Sequence, residues 1–116
     1  MGSVVVDRSE PGVAIVMLEG EHELYGAIKL QRQVQALIDE GVSFVIVDLT
    51  QATFLDSSIV SVLLQTRREA REARIGFSLI VDDTTGESVR RMFEITGLDT
   101  ILPIVESRKA ALARAS

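Results

Sequence analysis

The apolar positions of this chain follow two rhythms. Continuous or alternating runs mark strands, and spacings of three and four residues mark helices. Val4-Val5-Val6-Asp7-Arg8 reads as a strand, Ser9-Glu10-Pro11-Gly12 as a turn, and residues 13–19 as a second strand. So short a connection makes the pair an antiparallel hairpin. Gly20 ends the apolar run, and Glu21-His22-Glu23-Leu24-Tyr25-Gly26 reads as a polar connection. From Ala27 the rhythm turns helical, with Ala27, Leu30, Val34, Leu37 and Ile38 on one face and Gly41 as the stop.

Phe44-Val45-Ile46-Val47 is apolar without alternation, the mark of a strand buried on both faces. After Asp48 the chain reads as a loop ending in Asp56-Ser57-Ser58. A helix follows over residues 58–73, with Ile59, Leu63, Thr66, Ala70 and Ala73 as its core stripe and Val60 and Leu64 to one side. Residues 76–81 form another strand, and strand–helix–strand over this span is a right-handed βαβ unit. Residues 82–86 are a loop, and residues 87–96 a helix turned inward by Val89, Met92 and Phe93 and capped by Gly97. Pro103 confines residues 101–105 to a short edge strand. Ser107 opens a final helix with Ala111, Leu112 and Ala115 on a weak apolar face. The order β-β-α-β-α-β-α-(β)-α predicts an α/β fold of α+β character. Its mixed sheet has four or five strands, with an N-terminal hairpin and about four helices mainly on one face.

Composition narrows the function. At 116 residues the chain is expected to form a single domain. There are 12 basic against 17 acidic residues, a net charge of −5, which disfavours phosphate-backbone binding and points to protein partners. No apolar run nears the roughly 18–20 residues that span a bilayer, and the first residues do not read as a signal peptide. No membrane association is expected. With no cysteine, disulfides and thiolate metal sites are excluded, in keeping with a cytoplasmic protein.

Enzyme chemistry finds few candidates. His22 is the only histidine and reads as a surface loop residue, so neither a zinc site nor a hydrolase triad assembles. The acidic pairs Asp82-Asp83 and Glu21/Glu23 read as solvated loops rather than an acid–base pair or a Mg²⁺ site. No metal or cofactor is expected, and the chain is not expected to be an enzyme. The Asp56-Ser57-Ser58 turn is more informative. A helix N-terminus has unpaired amides and a partial positive charge, and so accepts either a capping side chain or a phosphate. Spacing alone favours capping.

The run from Val47 to Ser58, ending Phe54-Leu55-Asp56-Ser57-Ser58, resembles the signature of the STAS domain, shared by sulfate transporters and bacterial anti-sigma factor antagonists. Leu18-Glu19-Gly20-Glu21-His22-Glu23 is similar to the family's Gly-Glu-Leu-Asp segment. Met92-Phe93-Glu94-Ile95-Thr96-Gly97-Leu98 is similar to its helix ending in a Gly-Leu step. The matches fall in order across nearly the whole chain, and its length is that of a free-standing antagonist.

The resemblance implies a regulatory switch. The antagonist would bind an anti-sigma factor that is itself a serine kinase, and so release a sigma factor. The kinase would inactivate it by phosphorylating the serine after the motif aspartate, and a phosphatase would restore it. Here that serine is Ser57, with Ser58 the second choice, and the motif aspartate is Asp56. Glu23 stands where the family often has Asp, and Ile59 where it has Gly. The partner-binding surface is expected at Glu21, Glu23, Asp56, Ser58, Ile59, Val60 and Leu64. For Val60 and Leu64, packing under a neighbouring loop remains open beside docking. The alternative function is a STAS scaffold or ligand-sensing subunit of a larger assembly, without phosphorylation, and Ile59 favours it. A homodimer is left open.

Overall fold

Residues 13–17 pair in parallel with residues 44–48, and this contact is the spine of the sheet. The computed structural model describes residues 2–115. Its strands are β1 (Gly2–Glu10), β2 (Val13–His22), β3 (Phe44–Asp48), β4 (Ala52–Leu55), β5 (Gly76–Ile80) and β6 (Ile104–Val105). Its helices are α1 (Leu24–Glu40), α2 (Ser57–Ala73), α3 (Glu87–Thr96) and α4 (Arg108–Ala115), with a 3-10 turn over Leu98–Thr100. The sheet order is β1-β2-β3-β5-β6, with β4 also on β2. The β1–β2 hairpin is antiparallel and every other pairing is parallel.

The sheet has six strands, where the sequence pattern gave four or five. The added strand is β4, in the stretch that reads as a loop. β2 is ten residues long and β3 covers only its first half, so the polar end of β2 has a free edge. β4 fills that edge, pairing Gly20 with Ala52 and His22 with Leu55. The pairing shifts register between Gly20 and Glu21, and Gly20 has a φ of 82° that favours glycine. Gly20 therefore bends the strand without ending it, and the expected connection over residues 21–26 is instead the end of β2 followed by the first turn of α1.

The helices divide unequally between the faces. α1, α2 and α3 bury Leu30, Val34, Leu37, Ile59, Leu63 and Phe93 against Val16, Leu18, Val45, Val47 and Leu79. Val62 is buried in α2, whereas Ala73, expected in the core stripe, is exposed at the last turn. α4 alone covers the opposite face, setting Ala111 against Val13, Ile15, Phe44, Ile46 and Ile80. Arg108 at its start reaches Asp7 at 3.2 Å and Asp48 at 3.6 Å. Gly41 and Gly97 close α1 and α3 in the left-handed region, as the sequence predicts. Among the described residues no helix is long and apolar enough to cross a membrane.

Candidate functional site

Two strand ends and two helix starts meet at one edge of the sheet. β2 ends at His22 and α1 begins at Leu24; β4 ends at Leu55 and α2 begins at Ser57. The Asp56 amide donates to the His22 carbonyl at 3.2 Å, so the two turns lie side by side. The start of α3 buttresses them. The Gly86 amide donates to the Ala52 carbonyl at 2.8 Å, and the Ser88 hydroxyl donates to the Thr53 carbonyl at 2.9 Å.

The Asp56-Ser57-Ser58 turn divides its work residue by residue. Asp56 is the N-cap of α2, with extended backbone. Its Oδ1 accepts the amides of Ser58 at 3.0 Å and Ile59 at 3.4 Å, and the Ser58 hydroxyl donates to the same oxygen. The Ser58 hydroxyl above all, helped by the two amides, holds the Asp56 carboxyl below the usual carboxylate range. Ser58 is thereby half-buried and engaged. Ser57, the first residue of α2, is exposed, and its hydroxyl has no hydrogen-bond partner among the described residues.

Ile59 does not belong to the outer surface. It is fully buried in the main core, because a residue three after the cap falls on the inward face of α2. The isoleucine that replaces the motif glycine therefore turns away from Ser57. Val60 and Leu64 are half-buried, packing one side on the core and leaving the other at the surface. Glu21 and Glu23 are both exposed on the neighbouring turn. Glu23 occupies the N-cap position of α1 without a side-chain cap, while its carbonyl accepts the Ala27 amide at 2.9 Å.

His22, expected at the surface, is 3% exposed. Its Nε2 lies 3.0 Å from the Glu19 carbonyl oxygen, and its ring fits against the bare backbone of Gly26. A pocket of about 360 Å³ opens over it, lined by Glu21, Glu23, Tyr25 and Lys29. The Lys29 ammonium sits 4.7 Å from the centre of the Tyr25 ring. Among the described residues no three His, Cys, Asp or Glu side chains converge on a point that could hold a metal ion.

Sequence reasoning missed the apolar side chains around this edge. Leu24 and Tyr25 are 64% and 73% exposed at the start of α1, with Ile28 one turn on and Phe54 in β4 also exposed. The available signal was that Leu24 and Tyr25 sit outside the helical core spacing that begins at Ala27. Phe54 stands opposite Glu21 in the β2–β4 pairing.

Comparison with known proteins agrees with this architecture. BtrV of Bordetella bronchiseptica, whose assignment as an anti-sigma factor antagonist is itself provisional, is 29% identical over 102 residues, covering 88% of this chain and 85% of its own. The fold matches the crystal structure of an anti-sigma factor antagonist from Mycobacterium paratuberculosis, with a TM-score of 0.84, 24% identity and coverage of 99% of this chain and 94% of the other. It also matches the Bacillus cell fate determinant SpoIIAA in its phosphorylated form, with a TM-score of 0.74, 18% identity and coverage of 98% and 100%. The family model of the STAS domain matches residues 5–111. The chain belongs to the STAS domain family.

Proposed function

We propose that this chain is an anti-sigma factor antagonist. In its unmodified form it binds an anti-sigma factor serine kinase in the cytoplasm, and it lets go once that kinase phosphorylates Ser57. A phosphatase then returns it to the binding form. The observation that carries this reading is the exposed, unpartnered Ser57 hydroxyl beside a cap that Asp56 and Ser58 complete without it. A hydroxyl with no structural task can accept a phosphoryl group without undoing the helix start. The similarity to BtrV, and the solution of SpoIIAA on the same fold in a phosphorylated form, support the reading.

Electrostatics explains why such a modification would act on binding and not on folding. A phosphate adds about −1.5 to −2 charges, and a helix N-terminus favours an anion by about 0.3–1 kcal/mol. The neighbouring Asp56 carboxylate opposes it, so the two effects offset. On the docking side the balance differs. Leu24, Tyr25 and Phe54, with the outer sides of Val60 and Leu64, give this edge an apolar character. A dianion trapped against a partner there loses its hydration without compensation. Glu21 and Glu23 frame the same edge with negative charge.

The alternative of a scaffold or ligand-sensing subunit outside any phosphorylation cycle drew on Ile59. Burial of Ile59 in the core takes its bulk away from Ser57, which supports the phosphorylation cycle over that alternative. The test is intact mass after incubation with ATP and the candidate anti-sigma kinases of the source organism, followed by peptide mapping. One phosphate on Ser57, absent in Ser57→Ala and retained in Ser58→Ala, is the expected result. A phosphate on Ser58, or none with a kinase that binds stably, would overturn the assignment.

A further inference from the structure

Below the switch, α2 carries a second surface feature. Steps of three and four from Ser57 lead through Val60, Leu64, Arg67 with Arg68, Arg71 and Arg74. This stripe lies away from the buried Ile59, Leu63, Thr66 and Ala70. Glu69 and Glu72 fall on the opposite flank of the helix. Arg68, Arg71 and Arg74 are exposed and Arg67 is half-buried. The ion pairs among the described residues engage Arg8, Arg91 and Arg108, and none of the four stripe arginines.

Folding alone gives little reason for this arrangement. Arg67 and Arg71 are like charges four residues apart, a spacing that weakens a helix. The helix dipole accounts for Arg71 in the last turn but not for Arg67 and Arg68, which precede that turn. A chain of net charge −5 nonetheless collects four cations along one line. That line is continuous with Ser57. Ten residues of helix separate Ser57 from Arg67, about 15 Å, well within the footprint of one standard protein interface.

We propose that this stripe is the second half of the docking face, and that its occupant is an acidic flank of the protein partner. The partner would be apolar over Val60 and Leu64 and would set carboxylates against Arg67, Arg68 and Arg71. The inference rests on the reading of the chain as a partner-binding switch. A protein surface is favoured over nucleic acid or an anionic membrane, because both would meet the net negative charge of the rest of the chain.

The experiment is binding of the candidate anti-sigma factor kinase to wild type, to Arg67→Gln/Arg71→Gln, and to the off-stripe control Glu69→Gln/Glu72→Gln. Each is measured at low and at physiological salt, with circular dichroism to verify folding. The arginine variant should bind about tenfold more weakly, mainly through slower association, and with a shallower salt dependence; the control should stay within about twofold. Equal binding by wild type and the arginine variant overturns the stripe while the switch stands. No binding by wild type to any candidate overturns the switch, and the stripe falls with it. Arginine-dependent binding of a short DNA duplex or of phosphatidylserine vesicles, with kinase binding unaffected, assigns the stripe to another occupant and also overturns the proposal.

Discussion

The Ser58 hydroxyl donates to the Asp56 carboxylate, whose same oxygen accepts the Ser58 amide at 3.0 Å. One residue pair thus closes the start of α2 and leaves Ser57 outside the arrangement. Asp56→Ala should lower the melting temperature by a few degrees, and Asp56→Asn, which keeps an acceptor, by less. The difference between wild type and Asp56→Asn should depend on pH. The folded carboxyl is held below its ordinary value, so its stabilisation is complete above the unfolded carboxylate range and is lost as pH falls through the folded value. Thermal melts taken from neutral pH to about pH 3 should show the two proteins converging in acid.

The two serines should separate cleanly in a pair of variants. Ser57→Asp should leave the far-ultraviolet spectrum unchanged and the melting temperature within about 2 °C, because an exposed helix-start position tolerates an acid. Its binding to the kinase should nevertheless fall. Ser58→Ala should do the reverse, lowering the melting temperature by loosening Asp56 while leaving the Ser57 hydroxyl available. Melting and binding measured on the same samples check both halves.

Gly26 and His22 form a matched pair. A Cβ at residue 26 would overlap the His22 ring nitrogen Nδ1 and press on its Cβ, so the buried ring would have to leave its place. Gly26→Ala should therefore cost about 1–3 kcal/mol in urea denaturation. In a His22→Ala background most of that cost should vanish, giving a coupling of about 1 kcal/mol or more in a double-mutant cycle. Additive effects would mean that Gly26 matters only for its backbone.

Arg74 closes α2 in the left-handed region at φ 60°, the one non-glycine residue with positive φ among those described. Arg74→Gly removes the Cβ penalty of that conformation and should raise the unfolding free energy by about 1 kcal/mol. The urea midpoint should shift upward with an unchanged slope.

Ser78 is fully buried in β5 and its hydroxyl has no hydrogen-bond partner. It pairs with Ile46 across the ladder and shares its side of the strand with Ile80, under α4. Ser78→Ala deletes an unsatisfied oxygen from an apolar face and should gain about 1 kcal/mol, read by the same denaturation assay.

The main architecture was legible because it is written in spacing. The apolar run from Phe44, the helical stripe from Ala27 and the glycine stops at Gly41 and Gly97 each state a local preference that the fold then uses. β4 was hidden because Ala52-Thr53-Phe54-Leu55 is four residues long and buries its two ends without alternation, and its pairing depends on the length by which β2 outruns β3. The burial of His22 was hidden for a similar reason. It depends on a glycine four residues later exposing backbone to a ring, a three-dimensional fit with no periodic trace. At the candidate site, the motif ranked Ser57 ahead of Ser58 by position alone and gave no physical difference between the two hydroxyls. That difference comes from which hydroxyl the Asp56 carboxylate engages.

Ile59 gives the first turn of α2 two different evolutionary masters. Position 59 answers to the volume of the core beneath it, so among divergent relatives it should covary with the residues it packs on and be indifferent to which partner the protein serves. On the proposed switch, positions 57, 60 and 64 answer to the docking partner and should drift or hold together with that partner's surface. A glycine-to-isoleucine exchange between relatives at this site would then record a repacked interior, and judging a sequence inactive by its motif glycine would discard working switches.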